Sequence, residues 1–326
     1  MGKEIRKNKI TGFVESLKVN IGVFAAFVII FIISCFLSPR FCTVTNMMTI
    51  LRSNACTALC AFGMTFIILT GNIDISIGSF MTLCGCLTSM LIAKAGVHTF
   101  VAIGVSLCVA ILFGLVNGYL VTKMHIPAFI ATLATMNSLR GACYVMTNGK
   151  PVVFSKGLFT SIGGGYLGIF PLPAVYMIVA FGILWVILNK TRFGRRVYAV
   201  GASATAATYS GINTAKTITL TYVISGVLSA CAGILLISRL GSGQPTIGDG
   251  AELDAIASCV VGGVSMNGGR GTLTGTFIGC LVIGIISNIL NLVGVNSYIQ
   301  LIVKGVIIVA SIYIDIAKTK FIKNKS

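Results

Sequence analysis

Charge is scarce in this chain: only 10% of its 326 residues are Asp, Glu, Lys or Arg, while 56% are hydrophobic. A soluble domain carries about 25% charged residues, and a water-soluble fold of this length would still need a charged surface around its core. The shortage excludes that class. Acidic residues number just seven, which weighs against a carrier driven by protons or sodium, since such carriers hold carboxylates within the membrane. Imidazole is nearly absent as well. His98 and His125 are the two histidines, and neither lies beside a cysteine pair at zinc-like spacing, so no metal site is expected.

The eleven cysteines do not restore one. Most fall inside apolar blocks (Cys35, Cys56, Cys60, Cys84, Cys86, Cys108, Cys143, Cys231, Cys280), where cysteine behaves as a small hydrophobe. Catalytic motifs are missing too. Gly149-Lys150 is followed by Pro151, so there is no phosphate-binding loop, and no nucleophile elbow occurs in a strand–turn–helix context. The chain is expected to bind no cofactor and to hydrolyse no ATP by itself. Short alternating strands of a transmembrane barrel are also lacking.

What is present is a series of apolar blocks near the roughly 20 residues needed to cross a bilayer as helix. Ten spans can be drawn, at about 20–38, 47–70, 73–93, 99–121, 126–145, 172–189, 216–238, 251–267, 271–293 and 297–316. The expected fold is an all-α polytopic membrane protein, a single domain over 1–326. The formal net charge of +17 sits between the blocks and at the termini, which sets orientation; a nucleic-acid reader would gather it on one polar surface. Lys3, Arg6, Lys7, Lys9 and Lys18 precede the first block, and Lys190, Arg192, Arg195, Arg196 and Lys216 flank a later loop. Placing these inside makes the segments 1–19, 190–215 and 317–326 cytoplasmic, with both termini on that side.

Two loops stand out. Residues 146–171 are rich in glycine and aromatics and fall outside. Residues 190–215 fall inside, and good helix formers at 202–209, between Gly201 and Gly211, predict a short cytoplasmic helix there. The plainer alternative is a charged stop-transfer loop.

The halves carry a weak inverted repeat. Asn72-Ile-Asp74-Ile-Ser76 parallels Glu252-Leu-Asp254-Ala-Ile256, the segment ending in Asn117 parallels the one ending in Asn288, and Ala128-Phe-Ile130 parallels Ser297-Tyr-Ile299. Such repeats mark transporters and point to the translocation path. Polar residues within spans, costly in lipid, supply the path candidates: Asp74, Ser76, Asn117, Asn137, Asn288 and Asn291. Helix–helix hydrogen bonding is the competing role for the asparagines, and Asp74 and Arg140 are possible partners. Three of the seven acids, Asp249, Glu252 and Asp254, cluster after the turn 241–248, where with Gln244 they would either receive a basic partner surface or cap the next helix.

Several ordered motifs then resemble one family. Leu69-Thr-Gly-Asn-Ile-Asp-Ile-Ser-Ile-Gly78, Ile126-Pro-Ala-Phe-Ile-Ala-Thr-Leu133, Thr191-Arg-Phe-Gly-Arg195, Gly250-Ala-Glu-Leu-Asp-Ala-Ile-Ala257 and Gly268-Gly-Arg-Gly271 are similar to the ribose-type sugar permeases of ATP-binding-cassette importers. The resemblance runs from about Leu37 to Asp315. It implies the type II importer fold and a homodimer in membrane lipid, bound to a cytoplasmic ATPase subunit that uses the ATP. An extracytoplasmic sugar-binding protein would feed it. It also implies a coupling helix in the 190–215 loop, involving Arg195, Arg196, Gly201, Ala206, Ala207, Ser210 and Gly211, and docking of the binding protein near Gln244, Asp249 and Glu252. Family members usually read Gly-Asn-Glu-x-Ala-Ala-Arg-x-Ser-Gly-Ile at the coupling helix; here 202–212 lacks the acid and has Thr208 in place of the Arg. Ribose is the first expectation for the cargo. Other sugars or nucleosides, an ion-coupled carrier and a membrane enzyme are the rival readings.

Overall fold

The computed structural model describes residues 22–154 and 157–323, with side chains to 313. The basic segment expected at 1–19 lies outside the described residues. The described chain is mostly helical: α1 (Gly22–Leu37), α2 (Val44–Leu69), α3 (Ile77–Ala93), α4 (Thr99–Thr122), α5 (Ala128–Thr147), α6 (Leu158–Gly164), α7 (Leu172–Lys190), α8 (Arg192–Ala202), α9 (Ala204–Tyr209), α10 (Thr214–Leu240), α11 (Ala251–Val261), α12 (Leu273–Leu292) and α13 (Ser297–Lys323). Five of them, α2, α4, α7, α10 and α12, are long and apolar enough to cross a membrane.

α2 and α10 form the centre. α2 has 26 residues, about 39 Å at 1.5 Å per residue, and is enclosed along most of its length. Its interior is rich in small side chains (Ala55, Ala58, Cys60, Ala61, Gly63), and Gly63 lies directly against the Ser225 backbone of α10. Small residues let helices approach closely where lipid supplies no hydrophobic drive between them. α4 and α7 lie at the periphery and turn Leu112, Val116, Ile178 and Val186 outward, the pattern expected of surfaces solvated by lipid.

Two elements fall short of the expected spans. α3 begins at Ile77 rather than at 73, because the Asp74 carboxylate takes the Ser76 N–H (2.8 Å) and so holds a local turn that competes with the helix. α11 stops at Val261 instead of 267. With 11 residues it is about 16 Å long, half a bilayer. Gly263, Gly268, Gly269 and Gly271 adopt positive φ, and residues 262–272 form a loop closed by Ser265 N–H to the Arg270 carbonyl (2.9 Å). α13 departs the other way and stays helical to Lys323, through most of the expected tail.

The bundle has two distinct ends. One carries α8, α9 and the 262–272 loop. The other carries residues 146–154 and 157–171, with α6 and two short antiparallel pairs: β1 (Val152–Val153) with β4 (Ser242–Gly243), and β2 (Tyr166–Leu167) with β3 (Phe170–Pro171). From β4 the chain turns back along α3 into the bundle. Gly243 lies beside Ser89 and Cys86, whereas Gly248 lies against Gly78 and Thr82, several helical residues deeper. The Gly78–Gly248 approach leaves no room for a Cβ on either residue.

Candidate functional site

The platform at the first end begins with Thr191, whose side chain accepts the Gly194 N–H (3.3 Å) and caps α8. Gly194, Val197 and Val200 of α8 face inward, while Arg195 and Arg196 are exposed. Ser203 then caps α9 through Ala206 N–H (3.2 Å). In α9 only Ala207 is buried, and Tyr209 is 89% exposed. Gly211, at φ +78, ends the helix. The expected short helix is therefore present, but Gly201 is not its boundary; Gly201 belongs to α8. A Cβ there would collide with the Leu69 carbonyl and the Gly269 amide.

That contact ties the platform to the bundle. Gly269 N–H donates to the Leu69 carbonyl (2.9 Å), the Tyr198 hydroxyl donates to the Gly271 carbonyl (2.9 Å), and Phe193 stacks on Phe66 at 6.3 Å. Burial pushes the Tyr198 phenol up to about 12, so it stays a donor near neutral pH. The loop gripped in this way is the one that joins α11 to α12. α8 is thus in direct contact with the loop that follows the half-helix α11.

The far end of α11 is held by charge. Asp249, two residues before it, pairs with Arg140 of α5, and Arg140 Nε also donates to the Ser79 hydroxyl of α3 (3.3 Å). Asp254 in the first turn accepts from Lys304 of α13 (2.9 Å). Among the described residues these are the two ion pairs. Glu252 turns toward Gly78, and its Oε2 is buried without a hydrogen bond. Asp249 and Glu252 therefore stand at the depth of Gly78, while Gln244 stays with the β pair and bonds Ser242 (3.3 Å).

The six path candidates do not form one cluster. Asp74, 1% exposed, accepts from the Ser76 amide and hydroxyl. Asn117 of α4 donates to the Ser76 hydroxyl (3.0 Å) and accepts from Thr135 of α5 (2.6 Å). Thr132 of α5 receives the Ile75 N–H (3.2 Å). Asp74, Ser76 and Asn117 thus form one buried knot among α3, α4 and α5. Asp74 does not meet Arg140. Asn288 of α12 exchanges two amide hydrogen bonds with Asn46 of α2 (2.9 and 3.0 Å). Asn291 accepts from Gln300 (2.9 Å). Asn137 and Asn291 are the exposed members; Asn137 lies next to Ser138 on a face of α5 opposite its buried residues Ala131, Thr135, Leu139 and Cys143.

Sequence reasoning missed the reciprocal Asn46–Asn288 pair, because 242 residues separate the partners and no local pattern links them. It also missed the basic pair Arg52 and Arg239 at the opposite end from α9. There the Arg239 guanidinium donates to the Arg52 carbonyl (3.4 Å), and Arg52 donates to the Tyr166 hydroxyl (3.2 Å). A cavity of about 560 Å³, lined in part by Ser161, Ser238 and Arg239, opens beside them. No group of three or more potential metal ligands occurs among the described residues.

The family described as "Branched-chain amino acid transport system / permease component" matches residues 46–312. The ribose import permease protein RbsC of Bacillus subtilis (strain 168) is 46% identical over 306 residues, covering 92% of this chain and 94% of that protein. RbsC of Haemophilus influenzae is 42% identical over 296 residues, 90% and 91% of the two chains. The L-arabinose transport system permease protein AraH of Escherichia coli is 36% identical over 304 residues, 92% and 91%. No solved structure matches. With alignments that run along nearly the whole length, and apolar helices packed as a polytopic membrane bundle, this chain belongs to that family of transport permease components.

Proposed function

We propose that this chain is the membrane permease of an ATP-binding-cassette importer and carries a sugar, ribose first, into the cell. The observation that carries the reading is the α8–α9 platform. It is exposed, basic and without an acidic partner among the described residues, yet it is locked by backbone contacts to the loop after α11. Such a part receives a second protein and passes its movement inward. The second protein would be a separate cytoplasmic ATPase that consumes the ATP, contacted by Arg195, Arg196, Ala206, Ser210 and Gly211, with Gly201 and Ala207 seating the platform. The relatives named for ribose import support the cargo.

On this reading the platform end faces the cytoplasm of a bacterial inner membrane, since its basic residues obey the positive-inside pattern. Both termini lie on that side and the chain crosses ten times, with α11 as a half-length crossing. The equivalent order of α3–α4–α5 and α11–α12–α13 supports the inverted repeat. The extracytoplasmic binding protein docks at the opposite end, at the level of Gln244, Arg52 and Arg239. The exposed Asn137 and Ser138 of α5, polar and unsuited to lipid, line the path in a homodimer, with Arg140, Asp249 and Glu252 at its edge. The Asp74–Ser76–Asn117 knot and Asn288 and Asn291 hold the helices beside it. Alternating access follows when ATP-driven closure of the ATPases moves α9, and with it the 262–272 loop and α11.

The test is uptake of labelled ribose into proteoliposomes containing the permease and its ATPase, with binding protein and ATP on their proper sides. Uptake that needs all three components is the expected result. Uptake without ATP, driven by an ion gradient, would overturn the class; stimulated ATP hydrolysis without ribose movement would replace the sugar only.

A further inference from the structure

Two of the eleven cysteines stand apart from the rest. Cys35, in the last turn of α1, and Cys42, in the turn before α2, place their sulfurs 2.8 Å apart. That is inside the roughly 3.5–4.0 Å at which non-bonded carbon atoms settle, and sulfur is larger. Cys42 is exposed and Cys35 half-buried, so the pair is open to reagents. It is distinct from core thiols such as Cys60, Cys259 and Cys280, which are enclosed.

The backbone between the two residues holds them in place. Ser38 N–H donates to the Ser34 carbonyl (3.3 Å), Phe41 N–H to the Ser38 carbonyl (3.0 Å) and Thr43 N–H to the Arg40 carbonyl (3.4 Å). Phe41 is fully buried and meets Phe31 of α1 edge-on at 5.4 Å, packing also with Ile50, Ile285 and Ile289. Asn46 Nδ2 donates to the Phe41 carbonyl (2.9 Å) while keeping its bond to Asn288. The turn is therefore anchored to α2 and α12, and Cys42 is held against Cys35. α1 itself turns Phe24, Ile29, Ile32, Ile33 and Phe36 outward, so the small Phe31–Phe41 cluster and this turn are what join its end to the bundle.

The pair lies at the end of α1 and α2 remote from Leu69 and therefore remote from α8 and α9. Under the orientation proposed above, that end is extracytoplasmic, where disulfides form and persist.

We propose that Cys35 and Cys42 form a disulfide that staples α1 to the start of α2. The oxidant is a disulfide-bearing thiol oxidant of the extracytoplasmic side. The exposed Cys42 thiolate attacks one sulfur of its disulfide, giving a mixed disulfide and releasing one thiolate. The Cys35 thiolate then attacks the Cys42 sulfur and releases the second. Two S–H bonds are lost, one S–S bond forms, and the two electrons and two protons leave with the oxidant as a dithiol.

The experiment is peptide mapping of the full chain, extracted from membranes with a thiol alkylator present and digested with trypsin without reductant. Cleavage after Lys18, Arg40 and Arg52 separates the two cysteines into peptides 19–40 and 41–52. The expected result is one species of the two peptides joined, lighter by two hydrogens than their sum and lost on reduction. It should also be absent from Cys35→Ser, in which Cys42 becomes alkylated. Recovery of the two peptides separately, each alkylated, overturns the proposal. A membrane-impermeant reductant and maleimide applied to intact cells tests the side independently. A joined pair that opens only after permeabilisation keeps the bond and refutes the orientation.

Discussion

Arg140, on α5, donates to Ser79 of α3 and pairs with Asp249, two residues before α11, so one side chain joins α5 and α3 to the start of the half-helix. If movement of α11 opens the path, this pair must hold and release. Arg140→Ala and Asp249→Asn are each expected to lower ATP-dependent uptake roughly tenfold, toward the lower part of the usual range for coupled sites, without loss of membrane insertion. The doubly reversed variant, R140D with D249R, should regain most of the uptake. Failure of the reversal to do better than either single change would remove the pair from the mechanism.

The contact of Gly201 with Leu69 and Gly269 has no space for a methyl group. Gly201→Val should separate α8 from the 262–272 loop, so that ATP is hydrolysed but sugar is not moved. Deletion of 204–209 should abolish transport while the bundle still inserts. ATPase rate and uptake measured on the same proteoliposomes distinguish the two effects, and full coupling in either variant would deny the platform its role.

Asn288 exchanges hydrogen bonds with Asn46, which makes it a helix-joining residue. Asn288→Leu leaves the Asn46 amide oxygen without its donor and should destabilise the protein by about 1 kcal/mol, the scale measured for hydrogen bonds between membrane helices. The double change to Leu at both positions should recover much of that loss in thermal unfolding. Transport at low temperature should change little in either variant.

Asp74 is enclosed and accepts two bonds from Ser76. Asn offers the same acceptor oxygen, so Asp74→Asn should keep most of the uptake and its dependence on pH. Asp74→Ala leaves the Ser76 donors unmet and should cost about 1–3 kcal/mol of stability, the usual penalty for a buried group left unpaired. Collapse of uptake in Asp74→Asn, with the fold intact, would instead point to a proton-coupled carrier.

The membrane class, the order of the helices and the short helix of the 190–215 loop were legible in the sequence. Each is a local property: apolar length against bilayer thickness, or helix formers between breakers. The ends of α3 and α11 were not. Runs such as 251–267 are apolar enough to read as a span, yet Gly263, Gly268, Gly269 and Gly271 take positive φ as the loop passes beneath Leu69 and Gly201, and only the packed partners impose that path. The intramembrane polar residues were found by their cost in lipid, but cost does not reveal the neighbour that relieves it.

The sequence by itself therefore determined that this protein is a polytopic helical permease component, because hydropathy and ordered motifs act along the chain. Only the tertiary structure decided that Asp249 meets Arg140, that Asn46 meets Asn288, that α8 rests on the loop after α11 and that Cys35 faces Cys42. These choices depend on which backbones come close enough to touch, and that depends on the small residues of several helices packed together rather than on any one segment.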